Sequence, residues 1–163
     1  MTTNDALDLD KALAQESILV FEKFDEDDAC QLGILIRERA TALGPIIVEI
    51  RSIANDMMFF AAAPGSSPAN ADWARRKRNL VNQLGVSSYA LGAKERLGDK
   101  TLELMALDPR DHAAHGGCFP IRVKGAGMIA TVTVSGLPQR DDHKLAVDCI
   151  AEYLSVDLGQ NAF

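Results

Sequence analysis

Hydrophobic and polar residues follow each other along this chain in two rhythms, one near 3.6 residues and one of two, and the changes of rhythm mark the elements. Leu9, Ala12 and Leu13 recur at helical spacing within residues 5–16, which predicts a first helix, and SILVFEKF (17–24) then reads as a strand rich in β-branched and aromatic residues. Asp25 opens the run DEDD, a helix start with a capping side chain and acids at the positive end of the dipole. Leu32, Leu35, Ile36, Ala40 and Leu43 line one face of that second helix, and Gly44-Pro45 stops it. Residues 46–53 set Ile46, Val48 and Ile50 against Ile47, Glu49 and Arg51, as a strand with one wetter face does. Asn55-Asp56 turns the chain, 57–63 returns as a strand, and PGSSPAN (64–70) is a loop.

A helix over about 70–84 places Trp73, Leu80, Val81 and Leu84 on one face. At 100° per residue Lys77 falls in the middle of that apolar face and Arg76 on its edge, while Arg75 and Arg78 are expected to point to solvent. Ser87 caps a helix through Leu97, and Thr101 caps a shorter one (LELMAL) that ends before Asp108-Pro109. After a loop at 110–117, strands 118–125 and 128–136 form a hairpin around Gly125-Ala126-Gly127. A last helix over about 140–155 buries Ala146, Cys149, Ile150, Tyr153 and Leu154, and residues 157–163 read as a loosely held, flexible tail.

Most of these strands connect as hairpins, so the expected fold is α+β: a largely antiparallel five-stranded sheet with helices packed on it. The 163 residues make a single domain, 1–163, with an N-terminal helical segment taken as 1–14. No apolar run approaches a membrane span and the first residues do not form a leader, which places the protein in the cytoplasm with no membrane partner. A formal charge of −6 argues against a nucleic-acid partner. Three scattered cysteines (Cys30, Cys118, Cys149) make no disulfide framework.

The stretch from His115 to His143 carries the densest candidate chemistry. Gly116-Gly117 lets the backbone approach a ligand closely, or else serves as a hinge into the next strand. Ser135-Gly136-Leu137-Pro138 leads to His143 in the first turn of the last helix, where the dipole disfavours protonation. A neutral His143 could act as base or ligand, or could hydrogen-bond the Gly-Gly loop and lock the architecture. Asp141 and Asp142 read first as helix-start acids. Lys77 either pairs with a core carboxylate or, with Arg76, offers cations to an anion beside Trp73. His112, His115 and Cys118 stand three residues apart, but glycines and a strand start interrupt them, so no metal centre is assigned. There is no G-x-S-x-G elbow and no GxxxxGK[ST] loop, and the glycines of KGAG enter a strand, so no nucleotide cofactor is expected.

WARRK at 73–77, HGGCFPIRVKGAG at 115–127 and VSGLPQRDDH at 134–143 together resemble the haem-degrading-domain family, the HbpS-like and GlcG-like proteins. Within it the likeness is to a branch of small uncharacterised cytoplasmic proteins. The resemblance runs from about Gln15 to Leu154. It implies a profilin-like or PAS-like antiparallel five-stranded sheet, and homo-oligomers that range from dimers to larger rings. It also implies a small anionic ligand, with haem the one the family name suggests and haem breakdown a possible activity. Under that reading His143 and His115 are iron contacts or acid–base groups. Trp73, Arg76, Lys77, Gly116, Gly117 and Ser135 would then hold the ligand. The alternative is a non-enzymatic assembly module in which Trp73, Phe119 and the HGG loop build subunit interfaces.

Overall fold

The computed structural model describes residues 3–163, so the first two residues of the expected N-terminal segment lie outside the described residues. Helix α1 (Thr3–Ile18) runs beyond its predicted end. The expected strand over 17–24 shrinks to β1 (Val20–Phe21), because Ser17 and Ile18 complete the last turn of α1 and Leu19 N–H still donates to Gln15 O at 2.9 Å. Helix α2 (Glu26–Ala40) starts as predicted: Asp25 accepts from the amides of Asp27 and Asp28, and the Asp28 carboxylate returns a bond to Asp25 N–H. It ends at Ala40 rather than Leu43, which is left 53% exposed in the following turn.

Strands β2 (Ile47–Ser52) and β3 (Met57–Ala62) form the first hairpin. Helices α3 (Pro68–Leu84), α4 (Ser88–Arg96) and the single turn α5 (Thr101–Leu104) follow. Asp99, not Thr101, supplies the carboxylate that starts α5, accepting from the Thr101 amide at 2.7 Å. The chain then makes β4 (Cys118–Val123), β5 (Gly127–Ser135) and α6 (Gln139–Leu154).

The five strands lie in the order β1-β4-β5-β2-β3. Every neighbouring pair is antiparallel except β1 with β4, which is parallel. The sheet is therefore largely antiparallel, as expected, with one parallel pair that makes it mixed. The crossover through α2, the β2–β3 hairpin and three further helices returns β4 alongside β1, a relation that neighbouring hairpins in the sequence do not encode.

The two faces of the sheet differ. Val48, Ile50, Phe119, Ile121, Val132 and Val134 pack under α2 and α6 as an apolar core. The other face offers Glu49, Thr131 and Thr133, all buried, to α3. That polar stripe explains Arg78, expected in solvent: it is 7% exposed and its guanidinium pairs with Glu49. A helix covering a polar sheet face turns charged side chains inward.

The tail expected to be loose folds back on the body. Leu158 is buried, Gln15 Nε2 donates to Asn161 O at 2.6 Å, and Lys11 Nζ donates to Ala162 O at 2.7 Å. The Phe163 ring meets Tyr89 and His143 edge-on, each at 5.3 Å.

Candidate functional site

Three separated stretches converge where α3, the loop before β4 and the start of α6 meet. Lys77 comes from the inward face of α3, Gly116-Gly117 from the loop, and Asp142 from the first turn of α6. The Lys77 ammonium donates to Asp142 Oδ2 at 2.8 Å and to Val134 O at 3.2 Å, with both ionic side chains almost fully buried. A core carboxylate thus waits for Lys77, so the pairing role anticipated for it is the one it fills. Asp142 also accepts from Leu137 N–H at 2.9 Å and Gly136 N–H at 3.4 Å. Burial raises its carboxyl above the ordinary range, against the pull of Lys77 and those amides.

The paired glycines sit where protein atoms leave no room for a side chain. A Cβ on Gly117 would stand 2.2 Å from Val134 O and 2.8 Å from the Lys77 ammonium, at a φ of +131° that L side chains rarely adopt. A Cβ on Gly116 would stand 2.1 Å from Gln139 O and 2.6 Å from the Tyr89 ring. Neither position tolerates a side chain while the ion pair and the start of α6 stay in place.

Above this node lies a cavity of about 280 Å³ lined by Trp73, Lys77, His115, Ser135, Leu137 and Asp142, with Asn70, Gly136 and Gln139 completing it. Of the residues expected to form the site, Trp73, Lys77, His115 and Ser135 meet here. Arg76 does not line it: its guanidinium lies 4.4 Å over the Trp73 ring and donates to Pro109 O at 2.7 and 3.0 Å. Arg76 thereby steadies the indole, which meets the His115 ring edge-on at 4.9 Å. His115 is exposed at the rim. Partial burial, with Lys77, Arg76 and Arg96 nearby, lowers its pKa and keeps the ring neutral.

His143 lies elsewhere. It is fully buried, its ring stacks on Tyr89 at 4.7 Å, and its Nε2 meets Gln15 Oε1 at 2.9 Å rather than the Gly-Gly loop. Its Nδ1 has no hydrogen-bond partner among the described residues, and desolvation pushes its pKa down to about 3. In the first turns of α6, Gln139 and Asp142 turn toward the cavity while Arg140 and His143 turn toward Tyr89 and Phe163. Adjacent helical positions diverge by about 100°, which is why neighbours in one motif serve two regions.

Sequence reasoning missed Asn70 and Gln139. Gln139 stood inside a motif that drew attention, and its Oε1 accepts Gly116 N–H at 3.3 Å. Asn70 belongs to the capping box of α3, a signal that reads as helix start alone.

A five-stranded sheet in this order, covered by helices on both faces, with a small cavity at the α3–α6 junction, defines an α+β domain class. The model of the HbpS-like haem degrading proteins matches residues 24–151, and the chain belongs to that family. A UPF0303 protein of Rhizobium johnstonii is 49% identical over 158 residues, covering 97% of this chain and 96% of its own. The crystal structure of the Ybr137w protein superposes with a TM-score of 0.83 at 29% identity, over 90% of this chain and 87% of that one. The structure of PduOC in complex with haem shares the fold, with a TM-score of 0.67 at 20% identity over 81% and 94% of the two chains. Among the described residues no helix is long and apolar enough to cross a membrane, and no group of three or more His, Cys, Asp or Glu is arranged to hold a metal ion.

Proposed function

We propose that this protein binds a small ligand in the cavity between α3 and α6, and that haem, the ligand of the PduOC complex and of the family's name, is taken at its mouth with His115 as the iron contact. The observation that supports this is the position of His115. It is an exposed, neutral imidazole on the rim, held against an indole that an arginine pins from behind. A neutral ring nitrogen is the form that ligates iron. His143 cannot serve, because coordination would require removing Gln15, Tyr89 and Phe163 from around it. The half-buried His112 holds its Nδ1 at 3.1 Å from Asp108 O.

The residues fit a haem seated across the opening and not one enclosed by the protein. The cavity of about 280 Å³ sits at the lower edge of the roughly 300–1,000 Å³ typical of enclosed ligand sites. Bound haem would supply the redox-active iron; the chain would supply the His115 imidazole nitrogen, the Trp73 aromatic wall and hydrogen-bond donors. Hemin titration of wild type and His115→Ala, followed at the Soret band, tests this. A saturable shift in wild type that disappears in His115→Ala is expected, and a shift that survives the substitution defeats the assignment. Loss of the band on adding ascorbate under air would extend the reading from binding to breakdown.

A second reading, self-assembly, is supported by a different surface. β3 is an edge strand, and it leaves Met57 and Phe60 nearly half exposed with Ile53 beside them at 55%. Such an edge is a template for pairing with another chain. Phe119, expected at an interface in this role, is 1% exposed and belongs to the core instead. Phe60→Lys should lower the sedimentation coefficient if cytoplasmic homo-oligomers form through β3, and an unchanged value would remove this surface from consideration.

A further inference from the structure

The hydrogen-bonding groups around the cavity can be assigned one by one. Asn70 Oδ1 accepts from Ser67 N–H at 2.9 Å and from the Ser67 hydroxyl at 3.1 Å. Gln139 Oε1 accepts from Gly116 N–H. A backbone N–H can only donate, so in both carboxamides the oxygen is the atom turned to the protein and the amino group is the atom left over. Both oxygens of Asp142 are engaged by Lys77, Gly136 and Leu137. Lys77 has three N–H bonds, of which Val134 and Asp142 take two.

The side-chain oxygens of Asn70, Gln139 and Asp142 are therefore occupied, and the floor is left mainly with donors: Asn70 Nδ2, Gln139 Nε2, the third N–H of Lys77 and the Ser135 hydroxyl, which can also accept. The acceptor nitrogen of the neutral His115 ring stands at the rim. The ion pair leaves the floor without net charge. Trp73, Leu137 and the uncharged His115 ring form the walls. A donor-rich, charge-balanced floor beneath apolar walls suits a singly charged, planar acceptor group carried on an apolar body. It suits a phosphate less, because a phosphate brings up to two charges to a floor that offers only neutral donors and no net positive charge.

We propose that the cavity is a carboxylate receptor: the two oxygens of a carboxylate sit on the amino groups of Asn70 and Gln139 above Lys77 and Ser135, and the body of the ligand lies against Trp73 and His115. This rests on the reading of the cavity as the ligand site and names the chemistry that site selects. The carboxylate can come from a free aromatic or aliphatic acid or from a haem propionate.

Trp73 is the single tryptophan of the chain, so intrinsic fluorescence reports directly on this cavity. The full-length protein is titrated with sodium benzoate, with benzamide and with inorganic phosphate. Benzoate should give a saturable change, with benzamide and phosphate at least about tenfold weaker. Gln139→Glu and Asn70→Asp each keep the oxygen that serves Gly116 or Ser67 but replace the free donor by an acceptor. Each should weaken benzoate at least about tenfold with the melting temperature held near wild type. Displacement of hemin by benzoate would show that a propionate uses the same seat; hemin undisturbed by saturating benzoate would restrict the receptor to free acids. Equal affinity for benzamide, tighter binding of phosphate, or indifference to both substitutions would overturn the proposal. If hemin binds and benzoate does not, the carboxylate assignment fails while the site stands. If neither perturbs Trp73, both fall.

Discussion

His115 and His143 stand at the two ends of one sequence stretch, yet the fold places them on opposite sides of Gly116. On one side is the cavity, with an exposed imidazole, an indole and a set of unused donors over a neutralised ion pair. On the other is a closed aromatic cluster in which Tyr89, Phe119 and Phe163 surround the buried ring of His143. Gly116 separates them with no slack, touching Gln139 on the cavity side and Tyr89 on the other. The difference teaches that a histidine's residue type says little about its role. What decides is whether the ring has been dehydrated and sealed, as His143 has, or left at a surface with its nitrogen reachable.

The largest expected effect comes from the floor the two regions share. Lys77→Met strands the Asp142 carboxylate in the interior and should cost about 3–5 kcal/mol in denaturant unfolding. Lys77→Met combined with Asp142→Leu should recover most of that loss, since no uncompensated charge remains. A double variant as unstable as the single one would mean that Lys77 contributes packing rather than charge compensation.

Acid should then separate the histidines. The His143 pKa lies near 3 in the folded protein against an ordinary value of 6.5, so the unfolded chain binds its proton first as the pH falls. Stability present above pH about 6.5 is lost progressively down to about pH 3, on the order of 4 kcal/mol at full extent. His143→Gln should flatten that part of the curve, and His115→Ala should leave it nearly unchanged. Melting temperatures taken between pH 4 and pH 8 measure both.

Phe163→Ala should have a smaller effect, about 1 kcal/mol, because the ring is only partly buried over Tyr89 and His143. It should also admit solvent to His143, detected as faster modification of that residue by diethyl pyrocarbonate. Modification unchanged from wild type would mean that Gln15 and Tyr89 seal the ring without the tail.

How much of this was legible in the sequence follows the range of the interactions involved. Local signals were faithful: the Asp25 cap, the hairpin around Gly125-Ala126-Gly127 and the inward position of Lys77 depend on neighbours a few residues away. The parallel β1–β4 pair, the docked tail and Arg78 beneath α3 depend on partners dozens to more than a hundred residues distant. Periodicity assigned Arg78 to solvent because it weighs apolar neighbours and cannot see that the sheet face opposite carries Glu49. The same limit hid the site's boundary. The stretch 134–143 reads as one motif, while its helical geometry sends alternate members to the cavity and to the sealed cluster.

The central claim is that His115 belongs to ligand binding and His143 to the core, and the most direct measurement is a paired one. Hemin affinity and unfolding free energy are determined together for His115→Ala and His143→Ala. The account predicts that His115→Ala loses the Soret shift with stability within about 0.5 kcal/mol of wild type. It predicts that His143→Ala, at temperatures where it remains folded, binds hemin normally but is less stable by about 2–4 kcal/mol. A stable His143→Ala protein that no longer binds hemin, beside a His115→Ala protein that does, would contradict it.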